Sequence, residues 1–235
     1  MIERLIILES GRIENAWVEE TVSLLAGSAV VVHPTETVHG LGCRYDSSPA
    51  LERISRLKGR DPGKPMIFLL PGSAWLENLC GEIPRLSRKL VGLYWPGPLT
   101  LVLRTAASAR SRVPWLGETV AVRQCGHPFT ARVLAELDLP IASTSLNLSG
   151  QPAPGDPLQS LEILKTRWES EPCLRPELAV IDRMGSTGKN SNKELPSTIL
   201  AVEPNSAVRV IRRGACPLSE IFSKAGIDPA AVEYL

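Results

Sequence analysis

Residues 29–42 read Ala-Val-Val-Val-His-Pro-Thr-Glu-Thr-Val-His-Gly-Leu-Gly. The β-branched run Ala29–His33 has the length and composition of a short buried strand. Pro34 stops it, because proline brings no donor to a strand ladder. Thr35–Gly42 then reads as a polar loop with hydroxyls, one carboxylate (Glu36), one imidazole (His39) and two glycines that allow close backbone approach to a ligand.

Outward from this stretch, strands and helices alternate, but strands also follow one another directly. Upstream, 2–8 reads as a strand and 14–26 as a helix with Trp17, Val18, Val22 and Leu25 on one face. Downstream, helices are expected at 49–58, 73–80, 84–94, 127–137, 158–168 and 218–225. Strands are expected at 66–70, 99–104, 119–123, 140–143, 178–182, 197–202 and 208–212. The fold class is therefore α/β of the α+β type. The architecture expected is a twisted sheet of mixed parallel and antiparallel strands flanked by helices. No repeat or linker interrupts it, so 1–235 reads as one domain. The stretch 185–196 (GSTGKNSNKELP) reads as a mobile loop, a possible lid.

Composition narrows the function classes. The 235 residues carry 26 Lys+Arg against 25 Asp+Glu, a formal charge of +1, and are 43% hydrophobic. An intrinsically disordered chain is excluded by that apolar content. Attachment to nucleic acid by bulk charge is disfavoured by the neutrality. A chain of this length buries roughly 70–75% of its unfolded surface, enough for a full core. Twenty prolines and eighteen glycines imply many turns rather than a helical bundle. The five cysteines (43, 80, 125, 173, 216) are scattered, and the three histidines lack zinc-ligand spacing. The first residues lack a signal peptide's basic start and cleavage site, and no apolar run is long enough to span a bilayer. A cytoplasmic protein with free thiols is expected.

Neutrality conceals segregation. Between Ile83 and Gly117 there is no acidic residue, but there are six basic ones: Arg85, Arg88, Lys89, Arg104, Arg110 and Arg112. Arg53, Arg56, Lys58, Arg60 and Lys64 form a second group, and Arg209, Arg212 and Arg213 a third. Lys58 and Arg60 stand where a helix ends and the chain turns through Gly59 and Gly63 into a strand. Long cations there can bond phosphate oxygens without burying an unpaired charge. Three polar segments besides 33–42 abut strand ends: 58–65 (KGRDPGKP), the uncharged 143–150 (STSLNLSG), and Ser197-Thr198, followed along the chain by Arg212. The standard phosphate loops and the G-x-S-x-G elbow are absent.

The order and spelling of these segments resemble the YrdC-type threonylcarbamoyl-AMP synthase family in its short, one-domain form. The matching stretches are PTETVHGLG (34–42), KGRDPGKP (58–65), WPGPLTLVL (95–103), TVAVRQCGHP (119–128), PIASTSLNLSGQPAP (140–154), STI (197–199) and IRRGA (211–215). The resemblance implies an open basic concave cleft and an enzyme that joins L-threonine, bicarbonate and ATP into threonylcarbamoyl-AMP and pyrophosphate. It implies catalytic roles for Lys58, Arg60, Ser145 and Asn147. ATP contacts are implied for Arg60, Lys64, Thr119, Ser145 and Arg212, with Mg²⁺ held mainly through ATP. Thr37, Arg123, Ser143 and Ser197 would hold threonine, with Arg123 pairing the carboxylate bidentately. A partner complex would pass the product to tRNA beside the anticodon. The chain departs from the family pattern at His39, where tyrosine is usual, at Leu146 in Ser-x-Asn, and at Arg183-Met184 after Asp182. Two other readings compete: a non-catalytic module contacting tRNA or double-stranded RNA through a basic concave face, and a carbamoyl-adenylate enzyme with another acceptor.

Overall fold

The computed structural model describes residues 2, 4–9, 12–61, 63–152, 154–183 and 195–234. Residues 184–194, which hold most of the stretch read as a lid, lie outside the described residues. The strands are β1 (Arg4–Leu8), β2 (Val31–His33), β3 (Gly40–Arg44), β4 (Ile67–Leu69), β5 (Leu99–Arg104), β6 (Thr119–Arg123), β7 (Ile141–Ser145), β8 (Leu178–Asp182), β9 (Thr198–Val202), β10 (Val208–Arg212) and β11 (Val232–Tyr234). Helices are α1 (Asn15–Ala26), α2 (Ser48–Lys58), α3 (Trp75–Leu79), α4 (Arg85–Tyr94), α5 (Ala107–Arg112), α6 (Pro128–Leu137) and α7 (Pro157–Ser170), with a last helix at Leu218–Ala225.

All eleven strands join one sheet in the order β1-β8-β2-β3-β7-β4-β6-β5-β9-β10-β11. The β1/β8, β8/β2, β4/β6, β5/β9 and β10/β11 pairs are parallel. The other five are antiparallel. This is the mixed, helix-flanked sheet that the strand pattern implies.

Alternation along each strand divides the core. Val32, Leu41, Phe68, Val122, Ala142 and Ile181 face the larger cluster, which also takes in α2, α4, α7 and the last helix. Val31, Leu69, Ile141 and Val180 face the other side, where Val18 and Leu25 of α1 and Phe129 and Val133 of α6 cover them. Farther along that second face the sheet carries Gly40, Ser143, Ser145 and Arg123 in place of large apolar residues, and it borders a cavity. The site is thus the uncovered part of the face that α1 and α6 otherwise close.

One expectation is corrected here. Residues 40–42 are not loop but the start of β3, paired antiparallel with β2 and β7. Their glycines mimic a loop in sequence yet serve close packing. A Cβ on Gly40 would lie 2.8 Å from His33 Nε2 and 2.7 Å from Ser143 Oγ, and one on Gly42 would lie 2.8 Å from Ile141 Cγ2 and 2.9 Å from His33 Cδ2. The glycines leave the slot into which the buried His33 ring fits.

Candidate functional site

A polar cavity of about 160 Å³ gathers Thr37, Arg123, Ser143, Ser145, Ser197 and Arg212. These residues come from the β2–β3 turn, β6, β7, the approach to β9 and the end of β10. A second cavity of about 590 Å³ is lined by Lys64 and Thr119 together with Phe68, Trp115 and Leu116. Pro65 and Met66 line both cavities, so the two adjoin. The structure therefore brings together all four residues expected for threonine, with Ser145 and Arg212, and places Lys64 and Thr119 next door. Lys58, Arg60 and Asn147 do not line either cavity.

The cations differ in what their N–H groups already hold. Arg123 is buried; its Nε donates to the Gly97 carbonyl at 3.1 Å, and both terminal nitrogens donate to Thr37 Oγ1, at 3.1 and 3.2 Å. Its Nη2 also lies 2.9 Å from Glu36 Oε1 in an ion pair. Glu36 Oε1 accepts no hydrogen bond among the described residues, so this pair is held by charge, and bidentate pairing of Arg123 with a ligand carboxylate competes with it. Burial opposes the charge of Glu36. Arg123 and a bond from Cys125 Sγ at 3.1 Å nonetheless hold its carboxyl below its ordinary pKa.

Lys58 Nζ donates to the carbonyls of Ser145 and Asn147 and, at 3.0 Å, to Asn147 Oδ1. All three of its hydrogens thus tie down the 145–147 turn. Burial, with the Arg60 charge nearby, lowers its pKa to about 7. Arg60 Nη1 donates to Thr144 Oγ1 at 3.1 Å and Nη2 to the Lys64 carbonyl at 2.7 Å, which fastens 60–65 to β7. Its Nε is buried and makes no hydrogen bond among the described residues. Arg212 uses Nε on the Ser197 carbonyl and Nη2 on Ser197 Oγ, both at 3.0 Å, and its Nη1 has no bond among the described residues. Burial, then Arg123, lowers the Arg212 pKa. Arg212 thus holds a spare donor at the cavity wall, whereas the unbonded Nε of Arg60 is buried, Lys58 is spent, and Arg123 has three of its five N–H groups bonded.

Several partners escaped the sequence reading. Fully buried Thr100 sits 2.8 Å from Ser197 Oγ. Thr35 Oγ1 donates to the Val38 carbonyl at 2.7 Å and lies 2.9 Å from Thr37 Oγ1, closing the 35–38 turn. His39 lines the cavity, and its Nε2 accepts from the Asp182 amide at 3.1 Å. Asp182 Oδ2 in turn meets His127 Nε2 at 2.9 Å. Glu36 could have been flagged as the lone carboxylate inside a motif otherwise made of hydroxyls; Thr100 gave no signal, being one threonine in an apolar strand.

The basic segments spread over the molecule rather than filling the cleft. None of the six cations of 83–117 lines the polar cavity. Arg88 pairs with Glu77, Lys89 donates to the Ala225 carbonyl and Arg112 to that of Asn78. Arg53 and Arg56 pair with Glu177 and Glu171.

A mixed sheet with a hydroxyl-lined cavity, two arginines at its walls and an apolar cavity beside it defines a binder of small anionic or zwitterionic ligands. Comparison with known proteins agrees. The Sua5_yciO_yrdC family model, described as "Telomere recombination", matches residues 23–214, and the chain belongs to this family. It is 40% identical over 138 residues to a threonylcarbamoyl-AMP synthase of Bacillus subtilis (strain 168), a match covering 58% of this chain and 40% of the relative. The match to the Vibrio cholerae (O395) threonylcarbamoyl-AMP synthase is 31% identical and covers 86% of this chain and 98% of the relative. The chain thus spans about two fifths of the first relative and nearly all of the second. A crystal structure of P. abyssi Sua5 complexed with L-threonine superimposes with a TM-score of 0.79 at 27% identity, covering 98% of this chain and 62% of that one. E. coli YciO shares the fold, with a TM-score of 0.72 at 21% identity, covering 93% of this chain and 98% of that one.

Proposed function

We propose that this protein is a threonylcarbamoyl-AMP synthase, converting L-threonine, bicarbonate and ATP into threonylcarbamoyl-AMP, pyrophosphate and water. The observation that carries the reading is the convergence of Thr37, Arg123, Ser143 and Ser197 on one cavity that adjoins a larger apolar one. The first suits a small zwitterion and the second an adenosine. The likeness to the threonine-bound Sua5 supports the choice of amino acid.

In this reading threonine condenses with bicarbonate, and the resulting carbamate carboxylate attacks the α-phosphorus of ATP as pyrophosphate leaves. The chain contributes positioning and charge rather than a covalent intermediate. Arg212 Nη1, the spare donor at the cavity wall, would meet the charge that develops on the phosphoryl oxygens, and Arg60 holds the 60–65 segment against β7. Lys58 keeps the 145–147 turn in place, which sets Ser145 at the wall of the polar cavity. Lys64 and Thr119 hold the nucleoside side. No group of three or more His, Cys, Asp and Glu among the described residues could hold a metal ion. Glu36, the carboxylate in the turn, is taken by Arg123. In this reading Mg²⁺ arrives with ATP, held mainly by phosphate oxygens and water. Transfer of the product to tRNA would fall to a partner complex in the cytoplasm. No helix among the described residues is long and apolar enough to cross a membrane.

The test is product formation from threonine, bicarbonate and Mg-ATP with pyrophosphatase present. A threonine-dependent carbamoyl-adenylate is expected. AMP formation independent of threonine, or preference for another amino acid in a panel, would sink the reading.

A further inference from the structure

We infer that His33 is a positioning residue that turns the Ser143 hydroxyl into a hydrogen-bond acceptor, and that this acceptor selects the N–H group of the amino-acid substrate. The inference rests on the amino-acid reading of the polar cavity. His33 closes β2, and its ring is buried beneath the site. Its Nδ1 lies 3.4 Å from the Pro34 carbonyl, which can only accept and also takes the Thr130 hydroxyl at 2.6 Å; this contact is the ground for assigning the ring's proton to Nδ1. Nε2 is then the acceptor, and Ser143 Oγ, 3.0 Å away, donates to it. With its hydrogen committed, Ser143 has only lone pairs to offer the cavity it lines.

The other hydroxyls of the cavity are committed differently. Thr37 Oγ1 accepts twice from Arg123, and its hydrogen goes to Thr35, whose own hydrogen goes to the Val38 carbonyl. Ser197 Oγ already accepts from Arg212 and bonds Thr100. Ser145 gives its hydrogen to Asn147 Oδ1. Ser143 and Ser145, two residues apart on one face of β7, therefore present acceptors. An ammonium or a carbamate N–H satisfies them, and a hydroxyl acceptor or carboxylate does not. One polar surface then distinguishes the two ends of a zwitterion: lone pairs on β7, guanidinium hydrogens on β6 and β10.

The ring is held from two sides. The slot left by Gly40 and Gly42 is so close that a single Cβ would reach the imidazole, so the ring is packed edge-on against β3. Burial, with His39, His127 and Arg123 as the charged or titratable neighbours that face it, keeps the ring neutral down to about pH 4. The arrangement therefore persists across the physiological range.

Two measurements test this. Long-range ¹H–¹⁵N spectra of the wild-type protein at pH 7.5 should show His33 protonated on Nδ1; protonation on Nε2 overturns the inference. Calorimetric titration should show threonine binding weakened about 10- to 100-fold by His33→Phe, with ATP binding within about twofold of wild type. Ser143→Ala should weaken threonine binding similarly, and the double variant no further, since the two act as one unit. Additive losses, or a uniform loss of threonine and ATP binding, would mark His33 as merely structural and overturn it. If the wild type binds no threonine, the functional reading and the substrate half of the inference fall together, while the nitrogen spectra still decide the tautomer.

Discussion

Lys58 and Arg123 show why a cation's sign says less about a site than the fate of its hydrogens. Lys58 has three oxygens around Nζ. Replacing it by Met leaves those acceptors buried and unmet, each costing on the order of 1–3 kcal/mol if water cannot reach it. Lys58→Met should therefore lower turnover by about 100-fold or more and speed amide exchange across 145–147. Normal turnover with fast exchange would show the turn to be dispensable. Arg212→Ala removes the spare donor together with two bonds to buried Ser197, so it should raise the KM for ATP and also lower the melting temperature, though by less than Lys58→Met. Glu36→Gln strips the buried Arg123 of its counter-charge and should cost about 3 kcal/mol of stability by urea unfolding. A variant as stable as wild type would mean that another carboxylate serves Arg123.

At the scale of single elements, β3 is the most constrained. Gly42→Ala would drive a methyl group against Ile141 and the His33 ring, contacts below 3 Å. Destabilisation of about 1–3 kcal/mol is expected from such overpacking, read as a drop in melting temperature. No drop would mean that β7 shifts freely. The same strand marks the limit of sequence reading. Strands such as β5, β6 and β8 announced themselves through unbroken β-branched and Leu runs, because both of their faces are buried. In β3 the alternate positions are glycine, since a ring from the neighbouring strand fills their place, and nothing local reveals that ring. The four threonine-cavity residues were legible because each sits in a motif beside a strand end. Glu36 on Arg123 was not, since that pairing depends on how the turn folds back over β6. The short α5 and β11 were missed for want of length and apolar period.

Across the whole molecule, protonation couples the cleft to stability. Burial lowers the pKa of both His33 and His39 from 6.5 to about 4. In the unfolded chain both rings take up protons near pH 6.5, and in the folded chain only near pH 4. Between those values the unfolded state holds more protons, so stability is fully present above pH 6.5 and falls as the pH drops toward 4. His33 alone should account for about 3 kcal/mol of that fall. Urea unfolding at pH 7.5, 5.5 and 4.5 should trace it, and His33→Phe should flatten it; a flat wild-type curve would contradict the buried neutral rings. The formal charge of +1 gains meaning at this scale too. Outside the cleft, Arg53, Arg56, Arg88 and Lys224 pair with carboxylates, while Arg123 and Arg212 face the polar cavity.

The seam between β5 and β9 bears on how the chain fares when incomplete. Leu99, Leu101 and Leu103 are buried strand residues, and β9 pairs with β5 in parallel from Leu99 to Val102. A chain that stopped at Asp182 would retain Thr37, Arg123, Ser143 and Ser145 but lose Ser197, Arg212 and the neighbour that covers this strand. A row of unpaired amides and carbonyls flanked by leucines would then face solvent, a template for self-association. Such a truncated product should be recovered as soluble aggregates by light scattering, not as an inactive monomer. Loss of the C-terminal segment would then turn a monomer into self-associated material as well as abolish catalysis.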